Sequence, residues 1–121
     1  MADEKPPDIA LVLIVDDDED ILWMTAETVQ RLGYYVLTAK NGPEAIDLLR
    51  KNSRINVLFT DLRMPGMQGE ELARIAMVLR PGIRVIFTSG FRRPTGNAAF
   101  IRKPYRTADL VGALPPQASH H

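Results

Sequence analysis

The sequence contains no cysteine, so the folded chain cannot rely on disulfide bonds, which fits a reducing compartment. It also lacks a long apolar run, because the longest, residues 9–15, is too short to cross a bilayer. Neither sign of charge is in excess, since fifteen basic residues balance fifteen acidic ones, and no secretion signal opens the chain. We therefore expect a cytoplasmic protein with no membrane segment and no nucleic-acid partner.

The length of 121 residues, of which 45% are hydrophobic, predicts one globular domain that can bury a real core. The charged, proline-containing residues 1–8 form an N-terminal lead, and residues 9–114 form the domain. Residues 115–121 begin with two prolines, which do not continue a helix, and end in two histidines. We interpret this tail as a tag remnant rather than as a metal site.

The chain alternates short apolar runs with segments of helical periodicity, a pattern typical of a parallel sheet covered by helices. The first run, Leu11–Val15, is continuously apolar, as expected for a strand that is buried on both faces. We predict strands over residues 11–15, 35–38, 55–60, 83–87 and 100–101. We predict helices over residues 19–32, from Pro43, over 72–79 and over 107–114, with Thr107 as the candidate N-cap of the last. The sequence therefore predicts an α/β fold with a five-stranded parallel sheet.

Gly33 is expected to end the first predicted helix. The apolar stripe of this helix consists of Ile21, Thr25, Thr28, Val29 and Leu32. Its helical phase places the single tryptophan, Trp23, off this stripe. The segment between the fourth and fifth strands differs from the others, because it contains Gly90, Pro94 and Gly96 and has no sustained apolar period. We expect a loop there, with the fourth helix shortened or lost.

Polar residues follow the predicted strands where each one ends. Asp16, Asp17 and Asp18 follow the first strand and Asp61 follows the third, while Thr88 ends the fourth and Lys103 follows the fifth. Function collects at the carboxyl edge of an open parallel sheet, so these side chains are expected to meet there. Converging carboxylates repel one another, and a hard divalent cation is the usual remedy. A hydroxyl and an ammonium group beside them suit a phosphoryl group.

Four motifs at these strand ends, in this order, resemble those of the receiver domain of two-component response regulators. They are LIVDDD at residues 13–18, TDLRMPG at 60–66 with Gly69, IFTSG at 86–90 and RKPY at 102–105. The resemblance runs from about residue 11 to residue 114. It implies a flavodoxin-like (βα)5 fold, in which helices cover both faces of the sheet.

The resemblance also implies roles for particular residues. Asp61 is the implied phosphoryl acceptor, a carboxylate nucleophile that forms an acyl phosphate, and Thr88 and Lys103 bind phosphoryl oxygens and act as catalytic residues. The implied Mg²⁺ ligands, which would also accept Mn²⁺, are Asp17 and Asp61 directly, Asp16 through water and the backbone carbonyl of Arg63. Phe100 is the implied switch aromatic, and the peptide bond before Pro104 is expected to be cis.

By the same resemblance, the function is that of a phosphorelay receiver. The phosphoryl group would come from the phosphohistidine of a sensor histidine kinase or of a histidine phosphotransfer protein, which the first helix, including Trp23, helps to dock. The domain would switch the binding of a downstream partner or act as a phosphate shuttle or sink. It would catalyse its own phosphorylation and dephosphorylation and would not be an enzyme for an external metabolite. Only fifteen positions separate Thr88 from Lys103, several fewer than is usual in the family.

Simpler interpretations and two other functions remain open on the sequence alone. Asp18, Glu19 and Asp20 are equally well explained as acidic residues that complement a helix dipole. Asp16 with Thr88 and Lys103 resembles the nucleophile, hydroxyl and lysine of haloacid-dehalogenase-type phosphatases. A Ca²⁺-binding loop is suggested by carboxylates at positions 1, 3, 5 and 12 of an EF-hand pattern, although Ile21 stands where glycine is needed. Those four carboxylates are Asp16, Asp18, Asp20 and Glu27.

Overall fold

The computed structural model describes residues 10–94 and 96–116, so the predicted lead and the two terminal histidines lie outside the described residues. Within these residues, five strands and four helices alternate along the chain, except that the fifth strand follows the fourth with no helix between them. The strands are β1 (Leu11–Val15), β2 (Tyr35–Ala39), β3 (Ile55–Asp61), β4 (Arg84–Ser89) and β5 (Ala99–Arg102). The helices are α1 (Glu19–Arg31), α2 (Gly42–Lys51), α3 (Gly69–Leu79) and α4 (Thr107–Ala113). None of these helices is long and apolar enough to cross a membrane.

The strands form one parallel sheet in the order β2-β1-β3-β4-β5, which confirms the predicted architecture. Because every strand runs in the same direction, all the carboxyl ends lie at one edge of the sheet. The register aligns these ends closely, since Val15 pairs with Thr60 and Asp61 pairs with Thr88. The residues that follow β1, β3 and β4 are thereby brought side by side.

Two hydrophobic cores, one on each face of the sheet, hold the helices in place. Alternate residues of the central strand supply both cores, with Leu58 on the side of α2 and α3 and Phe59 on the side of α1 and α4. On the first side, Leu49 and Leu72 are fully buried against the sheet, and on the second side Leu110 of α4 is buried. Helices therefore cover both faces, as expected for a doubly wound fold.

Helix boundaries follow local capping, with one correction to the sequence prediction. The Asp18 carboxylate caps α1 by accepting from the backbone N–H groups of Asp20 and Ile21, and Gly33 ends the helix with a φ of 100°. The N-cap of α4 is Arg106, so the expectation of Thr107 at that position is wrong; Thr107 is the first helical residue, and the Asp109 carboxylate accepts from the Arg106 N–H.

The buried face of α1 is rotated from the predicted stripe. Leu22 and Ala26 are buried together with Thr25 and Val29, whereas Ile21 and Thr28 are only partly covered. The difference arises because α1 packs mainly on β1 and β2, so that contact with the sheet, and not the periodicity alone, sets which face of the helix is buried. Trp23 lies off this face with 74% of its surface exposed.

The described residues between β4 and β5 form no helix, in agreement with the expected loss of the fourth helix. Side chains organise this connection instead. The Ser89 hydroxyl accepts from the backbone N–H groups of Phe91 at 3.0 Å and Arg92 at 3.3 Å. The Arg92 guanidinium also pairs with Glu70 at the start of α3, at 3.1 Å. The start of the loop is therefore fastened both to β4 and to α3.

Gly69 is required by a close backbone approach. A Cβ at Gly69 would overlap the carbonyl oxygen of Asp61, which is backbone and cannot move aside like a side chain. We predict that Gly69→Ala lowers the free energy of unfolding by about 1–3 kcal/mol. Gly112 in α4 is the matched control, because among the described residues no heavy atom outside its own stretch of helix lies within 4 Å of its added Cβ. Gly112→Ala should stabilise by roughly 0.5–1 kcal/mol, and equal effects of both substitutions in urea denaturation would contradict this packing.

Candidate phosphoryl-binding site

The sequence-predicted polar residues converge at the carboxyl edge of the sheet. Asp16 and Asp17 follow β1, Asp61 is the last residue of β3, and Thr88 lies in β4 directly opposite Asp61. Lys103 follows β5 and reaches across β4 to the carboxylates. The structure thus brings together, in one place, groups that are up to 87 positions apart in the sequence.

The Lys103 ammonium bridges two buried carboxylates. Its Nζ lies 2.9 Å from Oδ2 of Asp16 and 3.2 Å from Oδ2 of Asp61. Asp16 is 2% exposed and Asp61 is 6% exposed, so water screens this cluster only weakly. The other oxygen of each carboxylate accepts from a backbone N–H, that of Asp18 at 2.9 Å and that of Arg63 at 3.4 Å. These contacts orient both carboxylates.

Burial and the neighbouring charges shift the protonation equilibria of the pair. Burial raises the pKa of the Asp61 carboxyl above its usual value; the Lys103 charge opposes this shift, and the nearby Asp16 charge adds to it. Burial alone would lower the pKa of Lys103, but hydrogen bonds and attraction to Asp16 and Asp61 outweigh it and raise the pKa. Lys103 is therefore held as a cation. The ionised form of Asp61 is destabilised by burial and by Asp16, and a further cation close to it would stabilise that form.

The carboxylates also form a suitable donor set for a divalent cation. One oxygen from each of Asp16, Asp17 and Asp61 lies within 4.8 Å of the others. Asp17 is exposed, so the open side of this triad faces solvent that can supply further oxygen ligands. A cluster of oxygen donors with room for water is what Mg²⁺ prefers, and Mn²⁺ accepts the same donors. The residues present thus fit the metal that the sequence led us to expect.

Thr88 carries the most informative polar atom of the site. The residue is 2% exposed, and within the part of the chain that the structure describes its hydroxyl oxygen has no hydrogen-bond partner. A buried hydroxyl without a partner is costly, so its retention needs an explanation such as a ligand. Because Thr88 pairs in register with Asp61, the hydroxyl is placed beside the carboxylate that the resemblance identifies as the phosphoryl acceptor.

The residues around β5 position Lys103. The peptide bond between Lys103 and Pro104 is cis, the isomer expected from the sequence. Tyr105, to which the sequence analysis gave no role, bonds the Thr25 hydroxyl of α1 through its own hydroxyl and packs edge-on against Phe59 at 5.7 Å. Tyr105 thereby fixes the residues after Lys103 to the core. The sequence signal that could have indicated this anchoring role is a tyrosine two residues after the lysine at the end of a strand.

Phe100 is half-buried against the core on the α2 and α3 side of the sheet. The Arg93 guanidinium carbon lies 5.2 Å from the centre of its ring. The ring is therefore packed on one side and in contact with a cation on another. Its position is compatible with the switch role expected from the sequence, which stays a prediction.

A cavity of about 700 Å³ opens at this edge of the sheet. Asp16, Asp61 and Lys103 lie at its base, and Arg63 and Phe91 form part of its wall. The guanidinium carbon of Arg63 lies 4.6 Å from the centre of the Phe91 ring. Sequence analysis missed this contact, because the two residues belong to different loops and nothing local signals that they meet.

The family model for the response regulator receiver domain matches residues 12–114. The chain belongs to this family. The response regulator receiver protein CpdR of Brucella abortus is 31% identical over 111 residues, which are 85% of this chain and 92% of that protein. Sensor kinase CckA of the same organism is 32% identical over 89% of this chain, but the match covers only 13% of the kinase. The crystal structure of a response regulator receiver domain protein from Clostridium thermocellum superposes with a TM-score of 0.80 at 28% identity, covering 87% of this chain and 90% of that one.

The Ca²⁺-loop alternative is wrong, because the residues that it requires do not form a loop. Asp18 caps α1, Asp20 lies in its first turn, and Glu27 lies further along the helix, paired with Arg31 at 3.5 Å. Leu11–Val15, which precedes these residues, is a strand and not the helix of an EF-hand.

Removing the unpaired hydroxyl of Thr88 should not weaken the fold. We predict that Thr88→Val leaves the free energy of unfolding unchanged or raises it by up to about 1 kcal/mol, because the lost group has no partner. Thr25 is the matched buried control, since its hydroxyl bonds Tyr105. Thr25→Val should cost about 1 kcal/mol. Urea denaturation in the presence of a chelator measures both free energies of unfolding. If Thr88→Val lowered the free energy of unfolding as much as Thr25→Val, the Thr88 hydroxyl would have a partner and this prediction would be refuted.

Proposed function

We propose that the chain is a phosphoacceptor of a two-component phosphorelay, with Asp61 as the residue that is phosphorylated. The observation that carries this proposal is the Lys103 ammonium held between Asp16 and Asp61, beside the buried Thr88 hydroxyl, which has no hydrogen-bond partner among the described residues. This combination supplies a nucleophilic carboxylate, a cation and a neutral donor within one cavity. A structural salt bridge alone would account for the ammonium but not for the hydroxyl.

In the proposed reaction, a carboxylate oxygen of Asp61 bonds to the phosphorus of a phosphohistidine. The bond between that phosphorus and the imidazole nitrogen breaks, and its electron pair stays on the imidazole, which takes a proton from solvent. Lys103 neutralises one phosphoryl oxygen, and Thr88 donates to another. Bound at Asp16, Asp17, Asp61 and the Arg63 carbonyl, Mg²⁺ would supply further neutralisation of the transferred group's charge. The chain would catalyse only this chemistry and its reversal by water.

The partners follow from the same proposal. The phosphoryl donor would be a sensor histidine kinase or a histidine phosphotransfer protein, in keeping with the match to part of a sensor kinase. A groove between α1 and α4, lined by Met24, Pro104 and Leu110, opens next to Lys103 and offers the donor a route to the site. Trp23 lines a different groove, over β2, so docking through α1 would use Met24 more directly than Trp23. We place this exchange in the cytoplasm.

Phosphorylation by acetyl phosphate, followed by intact-protein mass spectrometry, tests the proposal. With Mg²⁺, the parent should gain one phosphoryl group, and with a chelator in its place it should gain none. Asp61→Asn should abolish the adduct, because the amide is not a nucleophile of comparable strength. Thr88→Val should keep the fold but slow the gain by about tenfold or more, since one donor to the transferred group is lost.

The matched control is Asp20→Asn, a nearby exposed carboxylate on α1 that does not line the cavity. It should take up phosphate as the parent does. An adduct that persists in Asp61→Asn and disappears in Asp16→Asn would instead favour the phosphatase-like chemistry that the sequence left open. If the folded parent gained no adduct in the presence of Mg²⁺ and none in the presence of Mn²⁺, the proposed function would be overturned.

A further inference from the structure

The charges of the chain balance in total but are unevenly distributed along it. Residues 72–108 contain eight basic residues and no acidic one, so all fifteen acidic residues lie in the rest of the chain. This basic stretch includes β4, the connection between β4 and β5, and β5 itself. By contrast, α1 has two acidic residues in its first turn. Charge that is segregated in this way gives the molecule a positive and a negative region, and each attracts surfaces of the opposite sign.

The outer end of the sheet lacks a helix on its α3 side. Parallel strands are usually joined through a helix, but the described residues between β4 and β5 form none. Phe100 of β5 packs partly against the core on this side, and Arg102 lies two residues further along the strand, so both side chains project from the same face. The Arg93 guanidinium carbon, from the connection, lies 5.2 Å from the centre of the Phe100 ring. A half-buried ring with cations beside it therefore occupies the place where a helix would otherwise pack.

The cations around this ring have no carboxylate partner. Arg93 and Arg102 are exposed, and among the residues that the structure describes neither forms an ion pair. Arg74 of α3 borders the same area, because it lies one turn after Glu70, which pairs with Arg92 of the connection at 3.1 Å. We term this surface the basic face, which consists of Arg74, Met77, Arg93, Phe100 and Arg102. Such a face favours a partner that offers both carboxylates and apolar groups.

The exposed side of α1 offers such groups. Asp20, Trp23, Met24 and Glu27 follow the spacing i, i+3, i+4, i+7 and are all exposed, with Trp23 at 74%. Carboxylates pair with guanidinium groups, and an indole ring accepts a cation on its face. Glu27 pairs with Arg31 at 3.5 Å, but this contact lies in solvent and is therefore easily exchanged. We term these four residues of α1 the acidic face, and its groups complement those of the basic face.

We propose that the acidic face of one copy of the chain docks on the basic face of a second copy. Helix α1 of one copy thereby takes the place of the helix that the other lacks between β4 and β5. The contact cannot form within one copy, because α1 packs on one side of the sheet and Phe100 faces the other. The two faces differ, so the contact is heterologous, and copies add head to tail into a chain or a ring. This association requires neither Mg²⁺ nor phosphorylation of Asp61.

Sedimentation equilibrium of the parent over a range of concentrations is the first measurement. At an ionic strength of about 0.01 M, the average mass should rise with concentration beyond that of a dimer. At about 1 M salt it should return to the mass of one chain, because the screening length falls from about 30 Å to about 3 Å. Trp23 is the only tryptophan, so its fluorescence emission should shift to shorter wavelength as the copies associate and should shift back in salt.

Two alanine variants remove one face each. Arg93→Ala with Arg102→Ala removes the charges of the basic face, and Asp20→Ala with Glu27→Ala removes those of the acidic face. Neither variant should associate alone, because each has only one intact face. Mixed in equal amounts at low salt, they should form a dimer and no larger species, since one intact pair of faces remains.

The matched control is Arg50→Ala with Arg54→Ala, which changes the net charge as the basic-face variant does but lies outside both faces. It should associate as the parent does, and thermal unfolding shows that every variant is folded. A parent that stays monomeric at low salt would overturn the proposal, and its binding of a labelled oligonucleotide would then assign the basic face to another polyanion. Association that persists in either face variant alone would overturn it too, as would a mixture of the two that forms no dimer.

Discussion

The structure depends on a charge arrangement at the carboxyl edge of its sheet. Parallel pairing of β1 and β3 brings Asp16 and Asp61 together in a buried place, where two ionised carboxylates repel each other. The Lys103 ammonium offsets that repulsion, and it directly follows β5, the shortest strand of the sheet. The residues that follow this lysine are held in place: the peptide bond to Pro104 is cis, and the Tyr105 ring packs against Phe59. In the proposed reaction, the same arrangement presents the Asp61 carboxylate to the phosphoryl group.

The connection after β4 shows how a chain can dispense with a helix. Ser89 takes over the role of a cap by accepting from two successive backbone N–H groups, and Arg92 ties the loop to Glu70. Thr88 precedes Ser89 directly, so a displacement of Thr88 toward a ligand would pull on the anchor of this loop.

The sequence was sufficient to predict the fold and most of the site. The continuous apolar run at Leu11–Val15 and the polar residues after each strand are local signals, and parallel pairing converts them into one cluster. The buried face of α1 was missed, because packing on β1 and β2 buries Leu22 more fully than Ile21. The Arg63–Phe91 contact and the missing partner of Thr88 could not be predicted either, since both depend on exact distances between separate loops or strands.

The most direct test of this account is a crystal structure of the protein with Mg²⁺ and beryllofluoride, which mimics a phosphoryl group on a carboxylate. The account predicts beryllium bonded to an Asp61 oxygen, with the Thr88 hydroxyl and the Lys103 ammonium each within hydrogen-bond distance of a fluoride. It also predicts the metal among Asp16, Asp17 and Asp61. Beryllofluoride bound at another residue, or bound at Asp61 with the Thr88 hydroxyl still lacking a partner, would contradict it.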